Sequence, residues 1–117
     1  MFRVIIAGTR TFDNYSLLRE YADYKLSKVA DSIEIVSGGA QGADALGERY
    51  AREKGYSLRV FPADWAQYGR RAGPMRNRQM AEYADALLAY WDGKSRGTKS
   101  MIEEARARGL KVGIKLY

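Results

Sequence analysis

Short apolar runs alternate along the chain with stretches in which apolar residues recur every three or four positions. Val4–Ala7, Ile33–Val36 and Ala86–Trp91 are almost continuously hydrophobic, as strands covered on both faces are. Ser57–Phe61 and Lys111–Leu116 are weaker runs that complete a set of five strands. Between them, Leu18, Ala22, Leu26 and Val29 fall at near-helical intervals, with Asp13 or Asn14 available as N-cap. Ala43, Leu46, Gly47, Tyr50 and Ala51 mark a second helix, which Gly55 terminates. A third starts near Pro74, placed as a first helical residue, and continues through Met80 to Tyr83. A fourth follows Gly97-Thr98, turns Met101, Ile102 and Ala105 inward and ends at Gly109, with Arg106 and Arg108 at the negative end of its dipole. The order β-α-β-α-β-loop-α-β-α-β predicts one α/β domain over residues 1–117, a doubly wound parallel five-stranded sheet with helices on both faces. Ala63–Gly73 is the one long connection, and long connections in compact domains are often functional.

The chain has 117 residues, 46% hydrophobic and 29% charged, which suits one globular core and neither disorder nor a membrane protein. Its longest apolar stretch, Ala86–Trp91, is far short of the ~20 residues of a spanning helix. The opening Met1–Ala7 is too short for a signal-peptide core, so a cytoplasmic protein is expected. Cysteine and histidine are both absent. That removes disulfides, zinc and iron–sulfur sites, thiol nucleophiles, Ser-His-Asp triads and imidazole bases. Chemistry is left to carboxylates, Lys and Arg, hydroxyls, backbone amides or a bound Mg²⁺. The net charge of +6 favours anionic partners such as phosphates or nucleic acid.

In an open parallel sheet the ligand site lies beyond the carboxyl ends of the strands. Gly8-Thr9-Arg10 follows the first strand there, Ser37–Asp44 the second, and Asp92–Thr98 the fourth. Gly38, Gly39 and Gly42, with Ala40 between them, allow close backbone approach to a ligand before a helix start whose amides suit a phosphate. The spacing is neither a Walker A loop nor GxGxxG. Asp44 complements the helix dipole, or contacts a ribose hydroxyl, holds Mg²⁺ or acts as general acid/base. Gly93, Ser95, Gly97 and Thr98 repeat the pattern, with Lys94 and Arg96 beside it. Trp91 is either core or a stacking surface for a base. No acidic residue occurs from Ala66 to Ala81, where Arg70, Arg71, Arg76 and Arg78 all fall. On a helix Arg76 and Arg78 point to different faces, so at most one of them enters the crevice.

Gly8-Thr9-Arg10-x-Phe12, Ser37-Gly38-Gly39-Ala40-x-Gly42-Ala43-Asp44, Pro62-Ala63-Asp64-Trp65, Gly73-Pro74-x-Arg76-Asn77 and Trp91-Asp92-Gly93-x-Ser95-x-Gly97-Thr98 resemble the YspA/YpsA-like branch of the SLOG superfamily. The resemblance runs from Gly8 to the last helix. It implies a Rossmann-like fold, a nucleotide or nucleotide-derived ligand, a bacterial or phage origin, and assembly as a dimer or tetramer. By similarity to the Lonely Guy phosphoribohydrolases, Arg78 matches a catalytic Arg, but Met101 stands where their catalytic Glu would be. The DNA-processing A family has an SGxAxGxD motif similar to Ser37–Asp44, which implies single-stranded DNA as another partner.

The leading expectation is therefore a nucleotide-type small ligand, bound by a sensor or sequestering protein. Its phosphate would lie on the amides of Gly38–Asp44 and Gly97–Thr98, neutralised by Arg10 and Arg78. Thr9, Ser37, Ser95 and Thr98 would supply hydroxyls, Asp44 or Asp92 would address the ribose, and Trp91 the base. Two alternatives stand beside it. One is cleavage of an N-glycosidic or phosphoester bond, with Asp44 as acid/base and Arg78 as electrostatic stabiliser. The other is single-stranded nucleic-acid binding through Arg70, Arg71, Arg76 and Arg78.

Overall fold

The computed structural model describes residues 1–117. The strands are β1 (Phe2–Gly8), β2 (Ile33–Ser37), β3 (Ser57–Val60), β4 (Ala86–Trp91) and β5 (Lys111–Leu116). All pair in parallel, in the order β3-β2-β1-β4-β5. The helices are α1 (Tyr15–Leu26), α2 (Ala43–Lys54), a short α3 (Trp65–Tyr68), α4 (Ala72–Tyr83) and α5 (Arg96–Ala107). Strand order reverses between β1 and β4, whose register pairs Gly8 with Tyr90.

Alternation along β1 divides the interior into two cores. Val4 and Ile6 face α1 and α2, packing with Leu18, Ala22, Ile35, Tyr50 and Leu88. Ile5 and Ala7 face α4 and α5, packing with Val36, Met80, Leu87, Met101 and Ile102. A helix layer on each face explains why β1 and β4 read as unbroken apolar runs. Each large side chain buried here contributes about 1.5–3 kcal/mol. Tyr90, fully buried at the end of β4, stacks on Phe12 and donates its hydroxyl to the Leu18 carbonyl at 2.9 Å. It thereby ties the end of β4 to α1.

The caps account for the element boundaries. Asn14, rather than Asp13, caps α1 by accepting from the Leu17 amide, and Gly55 ends α2 in the left-handed region. Helix α4 begins at Ala72, two residues before Pro74, because a 3₁₀ turn (Gly69–Arg71) leads directly into it. Ala63–Gly73 is thus not an open loop. Asp64 caps α3 through the Gln67 amide, and the segment folds against the mouth of the sheet.

Candidate functional site

A cavity of about 500 Å³ opens where strand order reverses. The β1 end brings Gly8, Thr9, Arg10 and Thr11; the β2–α2 turn brings Ala40 and Asp44. Helix α4 contributes Gly73, Pro74, Arg76, Asn77 and Met80, and the start of α5 contributes Ser95, Arg96, Gly97, Thr98, Ser100 and Met101. A second cavity of about 400 Å³ adjoins it, lined by Gly38, Gly39, Gln41, Pro62 and Ala63. Arg10, Ala40, Trp65 and Arg76 line both.

The β2–α2 turn is closed on itself. Ser37, fully buried, donates its hydroxyl to Glu48 at 2.7 Å and accepts from the Gly39 amide at 3.1 Å. The Ala40 amide donates to Asp44 Oδ2 at 3.2 Å, and the Ala43 amide to the Thr9 carbonyl at 3.3 Å. Three amides of the expected phosphate nest therefore already have partners, and Ser37 is a scaffold hydroxyl outside both cavities. Gly42 also lies outside them. Its φ of +74° and the Thr9 and Arg10 carbonyls packed against its Cα leave no room for a side chain.

Arg76 is the inward arginine. Its Nη1 donates to the Gly38 carbonyl at 2.5 Å and its Nε to Asn77 Oδ1 at 3.2 Å. A Cβ on Gly38 would lie 2.5 Å from Arg76 Nη1 and 2.8 Å from Asp44 Oδ2, so a glycine there lets both charged groups crowd one spot. Asp44 is 5% exposed. Burial raises its carboxyl to about 6 and the neighbouring Glu48 charge adds to this, while the Ala40 amide and the Arg76 charge oppose it. Burial also lowers the Arg76 guanidinium, and the nearby Arg10 charge acts in the same direction. Arg78, by contrast, is two-thirds exposed, pairs with Glu104 at 3.7 Å and lines neither cavity. The rotation from Arg76 to Arg78 carries Arg78 out of the crevice, so of the two arginines it is Arg76, and not the expected Arg78, that shares the cavities with Arg10. Arg70 and Arg71 are exposed on the 3₁₀ turn, away from both cavities.

The β4–α5 turn divides differently. Asp92 accepts from the Lys94 and Ser95 amides, both at 2.8 Å, and its own amide donates to Thr9 Oγ1 at 3.3 Å. Trp91 donates its indole N–H to the Ser95 carbonyl at 3.0 Å and packs on the α4/α5 core. Asp92, Gly93 and Trp91 build the turn and line neither cavity. Ser95 caps α5 by accepting from the Thr98 amide, and its Oγ lies 3.1 Å from Thr98 Oγ1. The Arg96 and Gly97 amides have no intramolecular partner, and both residues line the larger cavity. An anion there would meet free N–H groups at the positive end of α5.

In the sequence Trp65 stands out only as the end of Pro62-Ala63-Asp64-Trp65. Its signal was Asp64, a cap for a short helix that swings the indole over the crevice, with the Arg10 guanidinium 6.0 Å from its ring centre. Met101, 2% exposed, and Met80 give the larger cavity an apolar patch; no carboxylate stands at Met101. No group of three or more acidic side chains gathers as metal ligands anywhere in the chain. A Mg²⁺ at Asp44 would need oxygen ligands from a bound phosphate.

A parallel 3-2-1-4-5 sheet with a basic, polar crevice at its switch point defines a Rossmann-like doubly wound domain. The model of the YAcAr family (YspA, cpYpsA-related SLOG family) matches residues 2–68, and the chain belongs to that family. It is 33% identical over 118 residues to the Gene 61 protein of Mycobacterium phage D29, covering 96% of this chain and 94% of that protein. Among solved structures, TM1055 superposes with a TM-score of 0.69 at 23% identity, over 96% of this chain and 72% of that one. DNA processing protein A (DprA) from Streptococcus pneumoniae gives 0.73 at 17% identity, over 97% of this chain and 49% of that one. These two similarities extend to the fold. No helix is long and apolar enough to cross a membrane.

Proposed function

We propose that this protein binds a nucleotide or nucleotide-derived small molecule in the crevice, as a sensor or sequestering protein. The observation that carries the reading is the convergence of Arg10, Arg76 and the unpartnered Arg96 and Gly97 amides on one cavity. In this reading the anionic group lies between the two arginines and the start of α5. Asn77 and Thr98 border the anion, and Asp44 addresses the sugar. Membership in a SLOG family supports a nucleotide-related ligand.

The test is a thermal-shift panel at fixed salt with AMP, GMP, ADP-ribose, NAD, cyclic dinucleotides and oligo-dT. A ligand at about 100 times its Kd adds ~2.7 kcal/mol, several degrees for a domain of this size. Arg10→Gln, an exposed change, should weaken binding at least ~10-fold through loss of a charge-assisted hydrogen bond. No shift with any compound rejects the reading. A shift with oligo-dT alone transfers binding to Arg70 and Arg71 and to single-stranded nucleic acid.

Asp44 favours a second reading. A buried carboxyl at about 6 on a cavity wall exchanges its proton near neutrality, as an acid/base catalyst must. Hydrolysis of an N-glycosidic or phosphoester bond would use Asp44 for proton transfer and Arg76 for developing charge. Product formed from nucleotides by the wild type and not by Asp44→Asn supports this reading. Absence of turnover with every compound rejects it.

A further inference from the structure

The chain has two tryptophans, and their surroundings differ in a way that concerns ligand recognition. Trp91 has its N–H bonded to the Ser95 carbonyl and its ring packed on the core. Trp65 is 50% exposed and lines both cavities of the crevice. An indole is among the largest apolar surfaces a chain can bury, yet half of this one faces solvent at the wall the two cavities share.

Its position is set from behind and from the side. A Cβ built on buried Gly73 would lie 3.1 Å from Trp65 Cη2 and 3.8 and 3.9 Å from Cζ3 and Cζ2, so the α4 backbone is a close support for the ring edge. Asp64 fixes the start of α3 through the Gln67 amide at 3.1 Å, which holds the backbone that carries the indole. The Arg10 guanidinium lies over the ring, 6.0 Å from its centre, so a cation shares the face of the indole with any ligand placed there.

We infer that Trp65 is the stacking platform for the aromatic base of the ligand, with Arg10 and Arg76 taking its anionic group. This rests on the crevice reading above and adds to it the residue that reads the base, so that a compound carrying a planar base as well as a phosphate is preferred over a sugar phosphate alone. Base–aromatic stacking tolerates any base because every base has a π-face, so the platform selects for the presence of a base and not its identity. Gly73 acts as a spacer that sets the depth of the platform.

Trp91→Phe leaves Trp65 as the sole indole reporter. The variant is titrated with AMP, GMP, ADP-ribose and ribose 5-phosphate, following emission and, by calorimetry, affinity. The base-bearing compounds should quench Trp65 emission on binding, and ribose 5-phosphate should bind at least ~5-fold more weakly with emission unchanged. In the wild-type background, Trp65→Leu should bring the affinity for AMP or GMP down to that for ribose 5-phosphate, and Trp65→Phe should restore part of the difference. Should Trp91→Phe fail to fold, the wild-type quench minus that of Trp65→Phe reports the same quantity. Equal affinity for ribose 5-phosphate and the nucleotides, undiminished in Trp65→Leu, overturns the platform and leaves the crevice reading intact. No calorimetric signal with any of the four compounds overturns both.

Discussion

The β2–α2 and β4–α5 turns are made of the same materials: glycines, a serine and an aspartate leading into a helix start. In the first, the polar atoms turn inward. Ser37 bonds Glu48, Asp44 bonds Ala40, and the Thr9 carbonyl takes the Ala43 amide. In the second they form the turn itself, Asp92 and Ser95 capping local amides while Arg96 and Gly97 stay unpaired. The two aspartates diverge accordingly. Burial raises Asp44 to about 6. Asp92 is held below the ordinary carboxylate range, chiefly by the Ser95 and Lys94 amides. A glycine-rich helix start is thus not by itself an anion seat; what matters is which amides the protein has left without partners.

Substitutions at the two turns should separate them, beginning with Gly42→Ala. A φ of +74° and collision with two backbone carbonyls predict a loss of roughly 3–5 kcal/mol in chemical denaturation. An unchanged midpoint would contradict the packed turn. Gly39→Val, at φ +73° and with the Val60 side chain 3.2 Å from a Cβ there, should cost stability as well, through backbone strain rather than collision with carbonyls.

The aspartates should respond to pH in opposite directions. Asp44 has its folded pKa raised from 3.8 to about 6. Its contribution is complete below its unfolded pKa and lost as pH rises through about 6, roughly 3 kcal/mol across the window. The wild-type minus Asp44→Asn difference in unfolding free energy should therefore fall between pH 4 and 7. A difference that rises with pH would contradict the burial argument. Asp92, shifted down from 3.8, contributes above its unfolded pKa and loses that contribution as pH falls through its folded value. In unfolding titrations Asp92→Asn should thus cost more stability at pH 7 than in acid.

Smaller effects follow at the open turn. Ser95→Ala removes the α5 cap and should cost about 1 kcal/mol, read by urea denaturation. Gly97→Ala meets nothing within 4 Å and has no positive φ, so it should be neutral or stabilising by up to about 0.5 kcal/mol. A large loss at Gly97 would show that this turn is as tightly packed as the first.

The periodicity of the chain located all five strands and the four long helices, because covered parallel strands and one-sided helices leave different repeats. Helix α3 escaped notice: four residues carry too little repeat to register, and only the Asp64 cap marks them. The choice between Arg76 and Arg78 was framed by helical rotation, but its answer depended on where α4 packs against the sheet. The sequence pointed to Trp91 as the aromatic partner, and only the packed chain shows its indole N–H held by the Ser95 carbonyl while Trp65 lines the crevice.

By itself, the sequence determined the parallel α/β architecture, the family, and the gathering of polar turns at the carboxyl ends of the strands. These follow from local pattern and chain connectivity, which are written in residue order. Only the tertiary structure decided which polar groups remain open. Whether Ser37, Asp92 or Trp91 is free depends on Glu48, on backbone amides and on a carbonyl brought against them. Hydrogen-bond partners and desolvation are set by the whole packed chain, and Asp44 at about 6 beside Arg76 exists only once both are buried against Gly38.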